Sequence, residues 1–439
     1  MCRCIMEIKR DFYLNKLIEK KWNKRIKIIT GLRRVGKSYL LFNLFKNHLL
    51  KEKVLEDQII TFAFDNAEDL RLLERHLPEQ KTLLGRQGNT GLSVNHLKFI
   101  EFILEKTKDD TKKYYILLDE IQLLEYFVFV LNGLLRHENF DVYVTGSNSK
   151  LLSKDIATEF RGRGDAIHLY PLSFKEYFDC FNTDFDSAFF EYSYFGGMPI
   201  ILNEKTHADK QKLLKSLFTE IYIKDITEYN SLKNTDAFSQ LLEILASQIG
   251  SFTNSSKLAN TFKSKIKINY NNETIKSHIE YIKNSFLLTE AKRYDLKGKK
   301  YIGAGSKYYF ADPGLRNALI NFRQVESTHI FENIVYNQLI LNGFSVDVGM
   351  VEISEKTESE IKRKTLEIDF VCNKLNERIY IQVAYSLADL DKLNQEKKSL
   401  LQVKDNFRKV IVVQQNIHKF FSEEGIEIVS LKDFLLNGI

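Results

Sequence analysis

Prolines are scarce in this 439-residue chain (Pro78, Pro171, Pro199 and Pro313), and so are cysteines (Cys2, Cys4, Cys180 and Cys372). Four scattered cysteines exclude a disulfide framework. Cys2 and Cys4 form a C-x-C pair with no companion ligands, so no metal site is read there. With no proline-rich linker, the parts of the chain are expected to dock closely. No stretch approaches the ~18 uninterrupted apolar residues of a spanning helix. The most apolar window, Tyr126 to Leu135, is broken by Asn132 and Gly133. The opening MCRCIMEIKRDFYLNK carries charges where a secretory signal needs apolar residues, so the cytoplasm is the expected location and no membrane partner is expected. Internal repeats are absent, and 44% hydrophobic with 28% charged residues excludes wholesale disorder.

The net charge of +6 is mild, but its distribution is not. Between Lys257 and Lys307 twelve Lys and Arg face four Asp and Glu, a local excess of +8. A basic segment of this kind fits a polyanionic partner, or a solvated lysine-rich face; charge alone does not choose between them.

The first 170 residues alternate short apolar runs (Ile26–Thr30, Ile59–Phe64, Tyr115–Asp119, Asp141–Thr145) with amphipathic helices (Lys37–Leu50, Val94–Lys106, Glu125–His137). That alternation predicts an α/β fold, a parallel sheet with helices on both faces. Within it, Gly31-Leu32-Arg33-Arg34-Val35-Gly36-Lys37-Ser38 fits G-x-x-x-x-G-K-[ST] in full, and Tyr39 follows it into the helix. A strand precedes the loop and a helix follows, which is the context a phosphate-binding loop requires. The two glycines let backbone N–H groups curl toward the phosphates of ATP, at the positive end of the helix. Lys37 is expected to reach the β- and γ-phosphates and the Ser38 hydroxyl to bind Mg²⁺, while Arg33 and Arg34 point outward.

Tyr114 to Leu118 lead into Asp119-Glu120, two acids at the end of an apolar strand. Asp119 is expected to hold Mg²⁺ near Ser38, and Glu120 to polarise the attacking water. The next strand ends in Gly146-Ser147-Asn148-Ser149; Asn148, with Ser147 as the fallback, is the expected γ-phosphate sensor, against the alternative of a plain helix cap. In Phe160-Arg161-Gly162-Arg163-Gly164, Arg161 or Arg163 is a candidate arginine finger, in cis or from a neighbouring subunit of a homo-oligomer.

Taken in order, ITGLRRVGKS, ILLDEIQ, VTGSNSKLLS, the RGRG loop, PLSFKEYF and YFGGMPI resemble the bacterial and archaeal AAA-type P-loop ATPases that carry a C-terminal domain of unknown function. The resemblance spans nearly the whole chain. It implies an ATPase core at 1–170, a helical lid or connector at 171–235, a winged-helix-like part at 236–320 and a restriction-endonuclease-like part at 321–439.

The later segments also read on their own terms. Ala237–Ile249, Ser255–Phe262 and Glu273–Asn284 are expected helices, followed by a basic hairpin around Asp295–Lys300. Three helices and a hairpin are the plan of a winged helix, whose third helix can enter the major groove of DNA. Beyond these, Glu332 on a helix and Asp369 at the end of a strand are placed like the acids of a nuclease metal site. The third element of such a site, E-x-K on the partner strand, is here Gln382-Val383-Ala384. A neutral amide binds Mg²⁺ far more weakly than a carboxylate, and alanine supplies no charge, so this site is read as degenerate. Lys392 and Lys397 on the following helix are candidates to replace the missing lysine.

The sequence therefore predicts an ATPase using Mg²⁺ and recognising DNA. An ATP-dependent nuclease, a nucleotide-gated switch and a P-loop phosphotransferase are the competing readings.

Overall fold

The computed structural model describes residues 8–74, 84–86, 92–146, 162–181, 183–232, 235–323, 327–356, 361–385 and 390–438. The chain forms two compact units. The first comprises Met1–Pro171 with Asp225–Ser231 and Asn284–Phe286; the second is Leu172–Lys224, Leu232–Lys283 and Leu287–Ile439.

Five parallel strands build the first unit: β1 (Ile26–Gly31), β2 (Ile59–Ala63), β5 (Tyr114–Asp119), β6 (Phe140–Thr145) and β7 (Gly164–Leu169). Their order is β2-β5-β6-β1-β7. A short antiparallel ribbon, β3 (Leu84–Arg86) with β4 (Leu92–Val94), stands apart from this sheet. β1, β5 and β6 are buried along their whole length, as strands covered on both faces must be, which is why they read as continuous apolar runs. The exception proves informative. Lys27 and Asp141 are fully buried partners across β1 and β6, and Asp141 also accepts hydrogen bonds from Tyr143 Oη (2.9 Å) and the Trp22 amide (3.0 Å). The expected helix after the phosphate loop runs from Lys37 to Lys51, but its middle, Leu40–Phe45, is a wide π turn.

The second unit opens with helices, then builds an eight-stranded mixed sheet of order β14-β15-β13-β12-β11-β10-β8-β9. Its strands are β8 (Leu288–Asp295), β9 (Lys300–Phe310), β10 (Ser345–Lys356), β11 (Ile361–Lys374), β12 (Glu377–Ala384), β13 (Arg408–Val413), β14 (Phe420–Phe421) and β15 (Glu427–Ser430). The helices Thr235–Ser247, Ser255–Thr261 and Asn272–Asn284 and the β8–β9 hairpin all form where the sequence places them. The hairpin does not end there, however: β8 pairs in parallel with β10 through Val348↔Arg293, Gly349↔Tyr294 and Met350↔Asp295. The sheet thus runs across position 320, where the sequence suggests a boundary.

The Gly-Gly-Met-Pro turn has a packing explanation. Gly196 has φ +77, and a Cβ there would stand 2.1 Å from Asp312 Oδ1. The Gly197 amide donates to Asp312 Oδ2 at 2.6 Å, and Asp312 also caps the helix Pro313–Leu319 by accepting from the Leu315 amide at 2.9 Å. Burial pushes the Asp312 carboxyl up to about 6, against the pull of those amides.

Candidate nucleotide-binding site

β1 delivers the chain into the loop Gly31–Ser38 at its C-terminal end, where parallel α/β sheets place their ligands. Gly31, at φ +144, passes so close to β7 that a Cβ would meet the Leu169 carbonyl oxygen at 2.3 Å. Gly36, at φ +98, turns the loop into the helix beginning at Lys37. Leu32 and Val35 are buried beneath the loop; Arg33, Arg34 and Ser38 are exposed, and Gly36 and Tyr39 are half-buried. The Lys37 ammonium lies within the loop and donates to the carbonyls of Gly31 (3.2 Å) and Leu32 (2.9 Å). Burial lowers its pKa, while the carboxylates of Glu120 and Asp119 oppose that shift.

The acids stand opposite. Asp119 closes β5, buried, and hydrogen-bonds the side chains of Ser38 and Thr145. Burial raises its pKa, and the two hydroxyls pull it back. A hydroxyl and a carboxylate sharing a hydrogen bond are hard oxygen donors within reach of one ion, so Ser38 and Asp119 fit Mg²⁺. Glu120 takes the left-handed backbone conformation (φ 52, ψ 48), which carries its side chain out of the strand direction. The amide of Gln122 donates to its carboxylate.

Thr145, the last residue of β6, was not singled out from the sequence. Its buried hydroxyl donates to Asp119 and accepts from the Glu120 amide at 3.2 Å. The strand order explains its position: β6 lies between the loop strand β1 and the acid strand β5, so its tip touches both. The signal was a polar residue closing an apolar strand, two to three positions earlier than the expected sensors. Ser147, Asn148 and Arg161 lie outside the described residues.

Arg163 is described, and its place is a correction. It precedes β7, and its carbonyl accepts from the Ile26 amide at 2.9 Å, at the start of β1. The phosphate loop is at the other end of that strand, roughly 16 Å away at ~3.3 Å per residue. Arg163 is therefore no arginine finger for this loop in cis.

The degenerate nuclease-like cluster lies in the second unit. Asp369 on β11 is half-buried, its Oδ2 accepting from the Val383 amide at 2.8 Å, and its own amide lies 3.4 Å from Gln382 Oε1. Burial holds its carboxyl well above the usual range, and the neighbouring Glu332 carboxylate adds to that. Sequence reading missed three members, Lys307, Glu367 and Tyr309. Lys307, on β9, places its ammonium 2.8 Å from Glu332 Oε1 and 2.6 Å from Glu367 Oε1, and Tyr309 Oη donates to Glu332 at 2.6 Å. The carboxylates keep Lys307 protonated, raising its pKa against burial, the largest opposing effect. Lys397, a candidate for this place, instead pairs with Glu424 at 2.9 and 3.0 Å; the Lys392 side chain lies outside the described residues. Among the described residues no group of three or more His, Cys, Asp or Glu is arranged to hold a metal ion, and no helix is long and apolar enough to cross a membrane.

Comparison with known proteins agrees with the first unit. An AAA domain matches residues 23–178, and a domain of unknown function (DUF8612) matches residues 186–326. An uncharacterised protein of Haemophilus influenzae is 31% identical over 437 residues, covering 98% of each chain. The uncharacterised protein MJ1544 of Methanocaldococcus jannaschii is 29% identical, covering 97% of this chain and 88% of its own. Among solved structures, the replication initiator DnaA bound to AMPPCP and single-stranded DNA aligns over 62% of this chain and 86% of its own, at 16% identity and a TM-score of 0.30. The Aeropyrum pernix ORC1 protein in complex with DNA aligns over 71% of this chain and 91% of its own, at 14% identity and the same TM-score of 0.30. With its AAA-type P-loop ATPase domain, the chain belongs to the family that the Haemophilus influenzae protein represents.

Proposed function

We propose that the protein binds ATP with Mg²⁺ in the cytoplasm, hydrolyses it, and couples that cycle to DNA. The observation that carries the reading is the convergence of Lys37, Ser38, Asp119, Thr145 and Glu120 at the C-terminal ends of three adjacent strands. Lys37 and the loop amides hold the phosphates, and Ser38 with Asp119 holds the ion, which neutralises phosphate charge when bound. Glu120 takes a proton from water, and its place beside Asp119 argues for water rather than a substrate hydroxyl as the nucleophile.

The winged-helix-like segment 236–320, with its basic excess, recognises the DNA. The C-terminal part is restriction-endonuclease-like and cuts nothing. Gln382 replaces a metal-binding acid, and Lys307 is held by Glu332 and Glu367 in ion pairs that offset part of the cluster's negative charge. The lysine is also the one observation that favours a nuclease, since a cation beside paired acids is what such a site uses.

ATP turnover with and without DNA tests the reading. Lys37→Ala should abolish nucleotide binding; Glu120→Gln should retain it while turnover falls ~10²-fold or more. Wild-type protein that binds ATP tightly without turning it over would favour the nucleotide-gated switch. Plasmid nicking that disappears in Asp369→Ala would establish the nuclease instead.

A further inference from the structure

Arg33 occupies the third position of the phosphate loop. Its Nη1 lies 2.8 and 2.9 Å from the two carboxylate oxygens of Asp225, in the first turn of the helix Lys224–Tyr229. Both residues belong to the first unit. The side chains are 50% and 40% exposed, so the pair is open to solvent and to exchange of partners. The guanidinium also feels the charges of Glu120 and Asp65, and in turn acts on the Lys37 ammonium. Arg33 thus acts electrostatically on Lys37 and Glu120, the groups that meet the last two phosphates if Glu120 polarises the water.

A half-exposed ion pair of this kind is weak and easily exchanged. A terminal phosphate carries more charge than a carboxylate and presents the same acceptor geometry to a guanidinium. We propose that Arg33 distinguishes a nucleoside triphosphate from a diphosphate, and that Asp225 holds it in reserve until the terminal phosphate displaces the carboxylate. This rests on the ATP-binding reading. It gives the segment 225–231 a direct report of whether a triphosphate is present, because its anchor to the loop is released only then.

Calorimetric titration of the full chain with AMPPNP and with ADP, each with Mg²⁺, tests it. Arg33→Ala should weaken AMPPNP ~10–100-fold, the range of a charge-assisted hydrogen bond, and change ADP by no more than about twofold. Arg33→Lys, which keeps the charge but not the planar fork, should fall between. Asp225→Asn should tighten AMPPNP by roughly 2–5-fold, because a competitor for the guanidinium has been removed. Equal weakening of AMPPNP and ADP by Arg33→Ala would reduce Arg33 to a loop-shaping residue and overturn the proposal. AMPPNP affinity unchanged or weaker in Asp225→Asn would overturn the reserve role. Should Arg33→Ala fail to fold, Arg33→Gln carries the same comparison. Wild-type protein that binds neither nucleotide would overturn the underlying ATP reading, an outcome distinct from all of these.

Discussion

Thr145 does its work in the nucleotide site through its neighbours. Thr145 satisfies the Asp119 carboxylate and the Glu120 amide with one hydroxyl. Thr145→Val keeps the shape and removes both bonds from beside a buried carboxylate, at about 1–3 kcal/mol. Unfolding in urea should show that loss, ATP turnover should fall with it, and Thr145→Ser should restore both; wild-type values in the valine variant would remove Thr145 from the site. His168 behaves differently. It is half-buried on β7 between Tyr170 and Phe286, with Nδ1 3.2 Å from Thr30 Oγ1. Burial first, then the positive charge of Lys37, lowers its pKa from 6.5 to about 4. The folded state therefore binds fewer protons than the unfolded state between those values, and stability rises with pH across that window. This contribution is complete above about pH 6.5 and is lost on acidification toward pH 4, on the order of 3 kcal/mol. Denaturation midpoints from pH 4 to 7 should flatten in His168→Gln, and an unchanged slope would assign the acid sensitivity to other groups.

Among the elements, β9 has the largest consequence. It carries Lys307 from the basic hairpin into the acids of the helix Ser327–Leu341 and of β11. Lys307→Met would leave Glu332, Glu367 and Asp369 without their buried cation. Removing one partner of a buried pair costs several kcal/mol, and Glu367 is a third exposed, so about 2–4 kcal/mol is expected after screening. The loss should shrink at acid pH, where Asp369, whose carboxyl burial raises, is uncharged. Equal destabilisation at pH 4.5 and pH 8, measured by urea unfolding, would mean that packing rather than charge is what Lys307 supplies.

At the scale of the whole molecule the basic excess between Lys257 and Lys307 is the feature that fits a polyanionic partner. If the hairpin contacts DNA phosphates, replacing Lys297, Lys299 and Lys300 with Glu should weaken DNA binding. The log–log dependence of affinity on salt should flatten by roughly 0.9 per lost contact. Binding with an unchanged salt slope would place the contact elsewhere on the chain, and absence of binding by the wild type would leave the basic excess as a solvated face.

Much of the nucleotide site was legible because its grammar is local. A strand, a glycine loop, a helix and an acid pair closing an apolar strand are each specified within a dozen residues, and the elements formed close to where the pattern placed them. Thr145 was passed over in favour of Asn148 because what brings it to Asp119 is the insertion of β6 between β1 and β5, a pairing of residues more than a hundred positions apart for β1. Arg163 shows the converse: near the loop in a motif list, it is a strand's length from it in space. Lys307 and Glu367 gave no sign of their roles, since a lysine in a basic hairpin and a glutamate in a strand are ordinary residues until the sheet pairs β8 with β10 and packs the acid helix against β9. The short strands Phe420–Phe421 and Glu427–Ser430 are too brief for periodicity to reveal. The sequence by itself determined the phosphate loop, its acids and the α/β alternation, because these depend on neighbours along the chain. Only the tertiary structure decided which distant charges meet, because strand order and helix packing are set by burial of apolar surface over the whole fold, and the polar groups go where that burial carries them.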